Sequence, residues 1–409
     1  MKNTHKQFSF FLFFLLTLLY FGHTTAFART YSVDVESGLG YDSNVFRSPD
    51  ASYFDPFTST TINPIVNSGM FVPFRINAEY EKTLSKHPGL RELKFNRWIS
   101  KFKVNGRKYL ESDLDNGDEH RIVFKTGLEF LLKKEGKRKN TFYIGPLISQ
   151  NKETYFDRDQ GAEKLTDTGQ SLGNRLSYLS YGLETKLNIR TTLIQYAITA
   201  ETRTYDYETT AFDEFDHLYY RVGAKASYQI ISPTKLTVGY DYSARDYDKW
   251  TARNLSGSKL PALNNPLREY TYHEFYIYLR NRLTPLWVVY LDYSYKIRND
   301  EFLGYSDYTR NKYKVRAIYH DKQQRRLRAS LAYWMRNHPN TFAFDMPTVA
   351  GLPSPKTDYN VFEIKLSGEM PLYREWFFWG EFKSILQDTT DPRYKYDRNQ
   401  IIAGVKVGF

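Results

Sequence analysis

The chain has 409 residues, with 57 Lys and Arg against 46 Asp and Glu, a formal net charge of +11 and no cysteine. The lack of cysteine excludes a disulfide scaffold and a lipoprotein anchor, and a mean hydropathy of −0.59 argues against a bundle of membrane helices. Aromatic residues reach 17%, with 35 Tyr and 29 Phe. That content is high for a soluble domain and is typical of a membrane barrel with aromatic girdles.

The N-terminus has the pattern of a secretion signal. Lys2 and Lys6 precede an apolar run, 8–21, and Ala26 and Ala28 form a small-x-small cleavage site. The alternative is an uncleaved membrane anchor, but the run is shorter than the roughly 20 residues that a spanning helix needs. We therefore predict a signal peptide, 1–28, followed by a single domain, 29–409.

The mature chain alternates apolar and polar residues with a period of two, which indicates β-strands. We predict about sixteen strands, an even number as in bacterial single-chain barrels. Their ranges are 31–46, 71–82, 93–109, 122–130, 142–150, 176–187, 191–205, 218–229, 236–247, 270–280, 287–298, 313–320, 327–337, 362–370, 376–387 and 400–409.

The connections between these strands alternate between long and short. Long polar links fall at 47–68, 151–175, 249–268 and 339–359. Short periplasmic turns and long external loops are typical of outer-membrane barrels. The predicted fold is therefore an all-β, transmembrane, antiparallel up-and-down β-barrel. A secreted β-sandwich or propeller is the soluble alternative, but here the apolar face repeats over the whole chain without a second domain.

The last strand carries Ile401, Ala403, Val405, Val407 and Phe409 on one face. It resembles the C-terminal strand of bacterial outer-membrane barrels, which ends in an aromatic residue that the barrel-assembly machinery reads. The resemblance implies that Phe409 is an assembly signal. The alternative is an ordinary terminal strand that ends in Phe.

Basic residues occupy many of the inward positions of the predicted strands. The set comprises Lys312, Lys314, Arg316, Arg326, Arg328, Arg336, Arg221, Lys225 and Arg245. Acidic residues occupy other inward positions, among them Glu79 and Asp241. Two interpretations stay open: a basic lumen that favours anions, or a wall whose charges neutralise one another as ion pairs.

A polar motif, Asp42, Ser43 and Asn44, ends the first strand. It either binds an ion or a sugar or shapes the turn through Asx-type hydrogen bonds. The surrounding segment 38–47, with the sequence GLGYDSNVFR, resembles the opening of outer-membrane β-barrel porin families, in particular the β-barrel porin 2 type, often found beside exopolysaccharide genes. The resemblance implies a role as a pore or in polymer passage. Surface lipoprotein assembly modifiers have a similar opening but add a helical-repeat domain in front.

Few residues of the chain form a catalytic or metal-binding pattern. Segments 113–118 and 157–161 carry Asp at Ca²⁺-loop spacing but lack the distal Glu, so we expect solvated loops. No histidine lies in a motif with Ser and an acid at recognisable spacing. We therefore predict no enzyme, no cofactor and no metal site.

The sequence thus predicts a channel in the outer membrane of a Gram-negative bacterium that passes small solutes and leans towards anions. Two alternatives remain: a conduit for exopolysaccharide export, and a structural or adhesive barrel without an open pore. The expected partners are outer-membrane lipid and lipopolysaccharide, the barrel-assembly machinery, and polysaccharide or small solutes, but no nucleic acid.

Overall fold

The structure is a computed structural model that describes residues 29–84, 95–136, 138–166, 168–208, 215–258, 266–349 and 351–409. The predicted signal peptide, 1–28, lies outside the described residues.

Twenty strands occur in these described ranges. They are β1 (Arg29–Asp42), β2 (Tyr53–Asp55), β3 (Thr60–Ile62), β4 (Gly69–Thr83), β5 (Phe95–Tyr109), β6 (Glu119–Glu135), β7 (Arg138–Glu153), β8 (Tyr178–Arg190), β9 (Ile194–Tyr207), β10 (His217–Ile231), β11 (Thr234–Thr251), β12 (Leu267–Arg282), β13 (Trp287–Asp300), β14 (Tyr308–His320), β15 (Arg326–Phe342), β16 (Thr348–Val349), β17 (Leu352–Pro353), β18 (Lys356–Tyr373), β19 (Trp376–Thr389) and β20 (Tyr396–Gly408).

Sixteen of these strands form one closed antiparallel barrel. Its order is β1-β20-β19-β18-β15-β14-β13-β12-β11-β10-β9-β8-β7-β6-β5-β4, which closes on β1. The remaining four strands form two small hairpins, β2-β3 and β16-β17, in the loops. The predicted sixteen-strand up-and-down barrel is confirmed.

The barrel is apolar on its outer face, as the period of two requires. On β20, Ile401 and Val405 are 57% and 44% exposed on the outside, and Gln400 and Lys406 occupy alternate positions. Closure pairs the backbone groups of every barrel strand on both sides, which a lipid environment demands. Among the described residues, no helix has the length and apolar character needed to span a bilayer.

The first and last barrel strands close the wall. β1 pairs with β20 from Asp34 opposite Gly408 to Asp42 opposite Gln400. The predicted first strand extended to Phe46, but β1 ends at Asp42. Phe46 instead leaves the wall and is buried, 1% exposed, in a small apolar core above it.

The long loops gather at one end of the barrel and the short turns at the other. The longest connections are 43–68, 154–177, 252–266 and 343–355, which follow β1, β7, β11 and β15. The two small hairpins belong to the first and last of these loops and were not predicted, because their strands are too short for periodicity to reveal.

Candidate functional site

The nine basic residues predicted to line the lumen lie on the inner face of the wall. On β14 the outer face is marked by Tyr313 and Val315, which are 47% and 46% exposed. The same alternation holds on the neighbouring strands. The inner face carries Lys312, Lys314 and Arg316 on β14, Arg326, Arg328 and Arg336 on β15, Arg221 and Lys225 on β10, and Arg245 on β11.

Two inward basic residues of β5 are neutralised by carboxylates of the neighbouring strands. Lys101 lies 2.7 Å from Glu79. Arg97 lies 2.7 Å from Glu81 and 2.9 Å from Glu129. On this part of the wall, the charges neutralise one another as ion pairs, which is the second of the two interpretations left open by the sequence.

The wall formed by β14 and β15 is different, since neither strand contains an acidic residue. Carboxylates of β12 and β13 come within 4.0 Å of two of its inward cations: Glu274 is 3.4 Å from Arg310, and Asp292 is 3.6 Å from Arg316. The other five have no carboxylate that close among the described residues. We call this set the basic ladder: Arg310, Lys312, Lys314, Arg316, Arg326, Arg328 and Arg336.

The basic ladder runs the full height of the wall. Arg310 lies opposite Arg336 near the loop end, and His320 lies opposite Arg326 at the turn end. Arg310 was not predicted to line the lumen, because the predicted inward set of this strand began at Lys312. Its spacing of two residues from Lys312 is the sequence signal that places it on the same face.

The three remaining predicted cations are mixed in their contacts. Arg221 forms an ion pair of 2.6 Å with Asp241. Arg245 stands 5.5 Å from the ring of Tyr272. Neither Arg245 nor Lys225 has a carboxylate within 4.0 Å in the described part of the chain.

Aromatic rings also face the lumen beside these cations. Tyr276 and Tyr278 stack with ring centroids 4.8 Å apart and an interplanar angle of 21°. The ring of Tyr290 lies 4.4 Å from the guanidinium of Arg316. This side of the lumen therefore offers both positive charge and flat apolar faces.

The rim motif joins the two ends of the sheet. Asp42 has no exposed surface, and its carboxylate accepts hydrogen bonds from Arg398 Nε at 2.9 Å, Tyr109 Oη at 2.8 Å and Gln400 Nε2 at 2.8 Å. It also accepts from the backbone of Asn44 at 3.1 Å, the Asx-type contact. All four hydrogen-bond donors belong to the chain itself.

The other two motif residues make similar internal contacts. Ser43 Oγ accepts from the backbone N of Asn399 at 2.8 Å. Asn44 Nδ2 donates to the carbonyls of Ser48 and Asp397, at 2.9 and 3.1 Å. The motif thus shapes the turn and fastens β1 to the start of β20.

Loops from distant parts of the wall contact one another over the barrel mouth. The hydroxyl of Tyr53 donates to Asp159 Oδ2 at 2.8 Å, and the Tyr53 ring lies 6.2 Å from that of Phe344. Arg158 lies 4.9 Å from the ring of Tyr394. Five strands separate β7 from β19 in the wall, so this last contact bridges the mouth and narrows it.

One carboxylate in these contacts is perturbed. Burial raises the pKa of Asp159, and the hydroxyl of Tyr53 opposes that shift. Its Oδ1 is buried without a partner among the described residues.

The loops after β7 and β11 take part in these contacts, as far as they are described. The connection after β7 supplies Arg158 and Asp159. In the connection after β11, Arg253 lies 4.0 Å from Asp345, and residues 259–265 are outside the described ranges. The Asp-rich segment 113–118 uses two of its carboxylates on Lys108, through Asp115 at 2.8 Å and Asp118 at 2.6 Å.

The terminal Phe409 extends the pairing of the last strand. Its backbone N donates to the carbonyl of Val33 at 2.9 Å and its carbonyl accepts from Val33 N at 3.0 Å. The side chain is 66% exposed, so the ring packs little against the rest of the chain.

Comparisons with known proteins find similarity in structure alone. No protein family and no curated protein matches the chain. The chain is similar in structure to a loop-deleted OmpT of Vibrio cholerae, with 9% identity, a TM-score of 0.48 and coverage of 94% of this chain and 100% of that one. OmpF of Salmonella typhi in complex with daunomycin shares 10% identity, with a TM-score of 0.48 and coverage of 94% and 98%. A bacterial polysaccharide outer-membrane secretin shares 6% identity, with a TM-score of 0.42 and coverage of 93% and 97%.

The chain is a closed antiparallel β-barrel of sixteen strands. At these identities and TM-scores, the likeness to known structures says nothing of what the chain does or where it is located. The β-barrel porin 2 family suggested by the rim motif is not shown by any match.

The prediction that the chain is not an enzyme has to be corrected. The similar structures include OmpT of Vibrio cholerae, an outer membrane protein. Neither a barrel fold nor the lack of a recognisable catalytic motif excludes an enzyme, so the exclusion drawn from sequence motifs is wrong.

Proposed function

We propose that the barrel is a channel that lets small solutes cross the outer membrane and favours anions. The basic ladder is the observation that carries this proposal. Five of its cations have no carboxylate within 4.0 Å in the described part of the chain, whereas Lys101 and Arg97 on β5 are paired. The positive charge of the ladder is therefore not cancelled locally.

Charge on the wall of a pore attracts counter-ions and sets the selectivity of conduction. A barrel of about sixteen strands is wide enough for an aqueous lumen unless loops fill it. Anions entering such a lumen meet the ladder along its whole height, because the cations stand on two adjacent strands from the mouth to the turns.

Zero-current potentials in planar bilayers test this proposal. The purified mature protein is reconstituted between two KCl solutions of different concentration. The proposal predicts single-channel steps and a zero-current potential of the sign set by chloride. A potential of the sign set by potassium contradicts the anion preference.

The contacts over the mouth favour a second candidate, a barrel without an open pore. Phe344 N donates to Asp391 Oδ2 at 3.1 Å, and Phe46 packs edge-on against Phe156 at 5.0 Å. If these loops stay closed, bilayers show no steps with the natural protein. Steps that appear only after the loop 343–355 is shortened would then favour the closed barrel.

The stacked rings of Tyr276 and Tyr278 favour a third candidate, a conduit for exopolysaccharide, since sugar rings stack on aromatic faces. Added polysaccharide would then block the ion current in a length-dependent way. Equal currents with and without polysaccharide would contradict the conduit.

We also propose that Phe409 is read by the barrel-assembly machinery. Its ring is exposed and contributes little to packing. Phe409→Ala is expected to lower the amount of barrel in the outer membrane while leaving the stability of the refolded protein unchanged. An unchanged amount would contradict this role.

A further inference from the structure

The upper end of the basic ladder is built differently from the rest. Arg336 lies opposite Arg310 on β14 and opposite Tyr359 on β18. Its guanidinium carbon is 5.2 Å from the ring centre of Tyr308 and 5.3 Å from that of Tyr359. The ring of His338 is 5.4 and 6.0 Å from the same two rings. Arg336 and His338 are therefore next to each other, and both contact the rings of Tyr308 and Tyr359.

Another guanidinium, from β13, contacts one of these rings. Arg298 lies 4.4 Å from the ring centre of Tyr308, and its nitrogens donate to the carbonyl of Ser306. Neither Arg298 nor Arg336 has a carboxylate within 4.0 Å among the described residues. Arg310 shares Glu274 with Lys296, and the carboxylate of Asp307 is close enough to Arg298 for the two charges to interact.

Two buried side chains on β15 and β18, the strands that carry Arg336 and Tyr359, have polar atoms without a partner in the described part of the chain. His338 is 8% exposed and its Nδ1 is unpartnered, and Thr357 is 4% exposed and its Oγ1 is unpartnered. Thr357 stands two residues before Tyr359, on the same inward face of β18. Nε of Arg336 is also buried and unpartnered. Leaving such groups unpaired is costly, so native proteins pair nearly all of them.

Some of the unpartnered atoms donate hydrogen bonds and one accepts them. The guanidinium and hydroxyl groups donate hydrogen bonds. A neutral imidazole has one donor and one acceptor nitrogen, so Nδ1 of His338 accepts a hydrogen bond when Nε2 carries the proton. A partner that fits all of them carries several anionic oxygens and one hydroxyl. A phosphate group with one proton has this chemistry, whereas sulfate lacks the hydroxyl.

We propose that Arg298, Arg310, Arg336, His338 and Thr357 form a binding site for a phosphate group, either inorganic phosphate or a phosphate monoester. This proposal adds a specific site to the proposed anion channel. It rests on the proposed function only in that the anion reaches the site through the lumen. Arg336 and Arg310 supply charge-assisted hydrogen bonds that suit tetrahedral oxyanions. Thr357 donates its hydroxyl and His338 accepts from the phosphate O–H.

Calorimetric titration of the folded barrel in detergent tests the site without requiring conduction. Inorganic phosphate, glycerol phosphate and sulfate are titrated separately. We expect saturable binding of phosphate and weaker binding of sulfate. Tighter binding of glycerol phosphate than of phosphate would identify a monoester as the natural occupant, and the reverse order would identify the free ion.

Variants separate the site from the general field of the ladder. Arg336→Gln and Thr357→Val are each expected to weaken phosphate binding about tenfold or more, since each removes a hydrogen bond to a charged ligand. Arg326→Gln removes the same charge from the turn end of the same strand and is expected to change the dissociation constant by less than about twofold. Each variant is first shown to be folded by its unboiled mobility on a denaturing gel.

Three results would overturn the proposal. Absence of saturable phosphate binding in the natural protein would mean that the buried atoms are met by water only. Equal weakening by Arg336→Gln and Arg326→Gln would mean diffuse attraction by the ladder. Equal affinity for sulfate and phosphate, with no effect of Thr357→Val, would remove the roles of His338 and Thr357. Zero-current potentials of the same preparations report the anion channel separately, so the two proposals fail independently.

Discussion

Arg398 and Asp42, 356 residues apart in the chain, form a buried ion pair that joins the last strand of the barrel to the first. Nε of Arg398 donates to both carboxylate oxygens, at 2.9 and 3.1 Å, and Nη2 donates to Oδ2. The two side chains are 4% and 0% exposed. The pair therefore fixes the seam of the barrel at its loop end.

Removing one member of this pair is expected to destabilise the barrel. Asp42→Ala leaves Arg398 buried and unpaired, and the loss of a partner in such a pair costs about 3–5 kcal/mol. Urea unfolding of the refolded protein, followed by tryptophan fluorescence, measures the change. Lys395→Ala is the control, because its ion pair with Asp388 is exposed and contributes about 0–1 kcal/mol. Equal unfolding midpoints for the two variants would contradict the role of the seam pair.

The backbones at the seam also approach closely. Gly38 lies opposite Gly404, and a Cβ added to Gly404 would stand 2.2 Å from the carbonyl oxygen of Ser37. Gly404→Ala is expected to destabilise the barrel by about 1–3 kcal/mol, because the wall has to shift to admit the methyl group.

The neighbouring strand supplies the matched control. A Cβ on Gly380 would stand 3.6 Å from the nearest backbone atom, the carbonyl oxygen of Ile402, which is an ordinary contact. Gly380→Ala is therefore expected to fold in normal yield. A refolding yield of Gly404→Ala as high as that of Gly380→Ala, judged by mobility of unboiled samples, would argue against a crowded seam.

Acid pH is expected to strengthen the loop contacts over the mouth. Burial raises the pKa of Asp159, Asp157 and Asp55 act in the same direction, and Lys164 and the hydroxyl of Tyr53 oppose them. Asp159 therefore binds its proton more tightly when its loop, 154–177, is docked over the mouth than when the loop is undocked. The stabilisation of the docked loop by this proton is complete below the pKa that Asp159 has in the undocked loop. It is lost as the pH rises through the raised pKa of Asp159 in the docked loop.

Conductance measured over a pH series tests this expectation. Open probability should fall on acidification in the natural protein. Asp159→Asn keeps the size of the side chain but does not titrate, so its open probability should not follow that fall. An unchanged pH response in Asp159→Asn would assign the effect to other groups.

The sequence predicted the barrel well because a single rule governs every strand. Ile401 and Val405 face outward for the same reason as Tyr313 and Val315: alternate residues meet lipid. That rule gives the strand number and the two faces without knowledge of any contact. It also placed the nine selected cations on the inner face.

The alternation of residues does not predict the register between neighbouring strands. Whether Lys101 is neutralised and Lys314 is not depends on which residues lie beside them on the neighbouring strands. The pair of Asp42 and Arg398 depends on closure between the two ends of the chain. The loop contacts, such as Tyr53 with Asp159, follow no period at all. These parts of the candidate site required the three-dimensional structure.

The zero-current potential of ladder variants in planar bilayers tests the central claim most directly. Lys312→Gln, Lys314→Gln and Arg328→Gln are combined in one protein, and Glu79→Gln with Lys101→Gln in another. The ladder variant is expected to lose most of its chloride preference, whereas the variant that removes the neutral pair should match the natural protein. Equal potentials for all three proteins would contradict a lumen whose selectivity is set by the basic ladder.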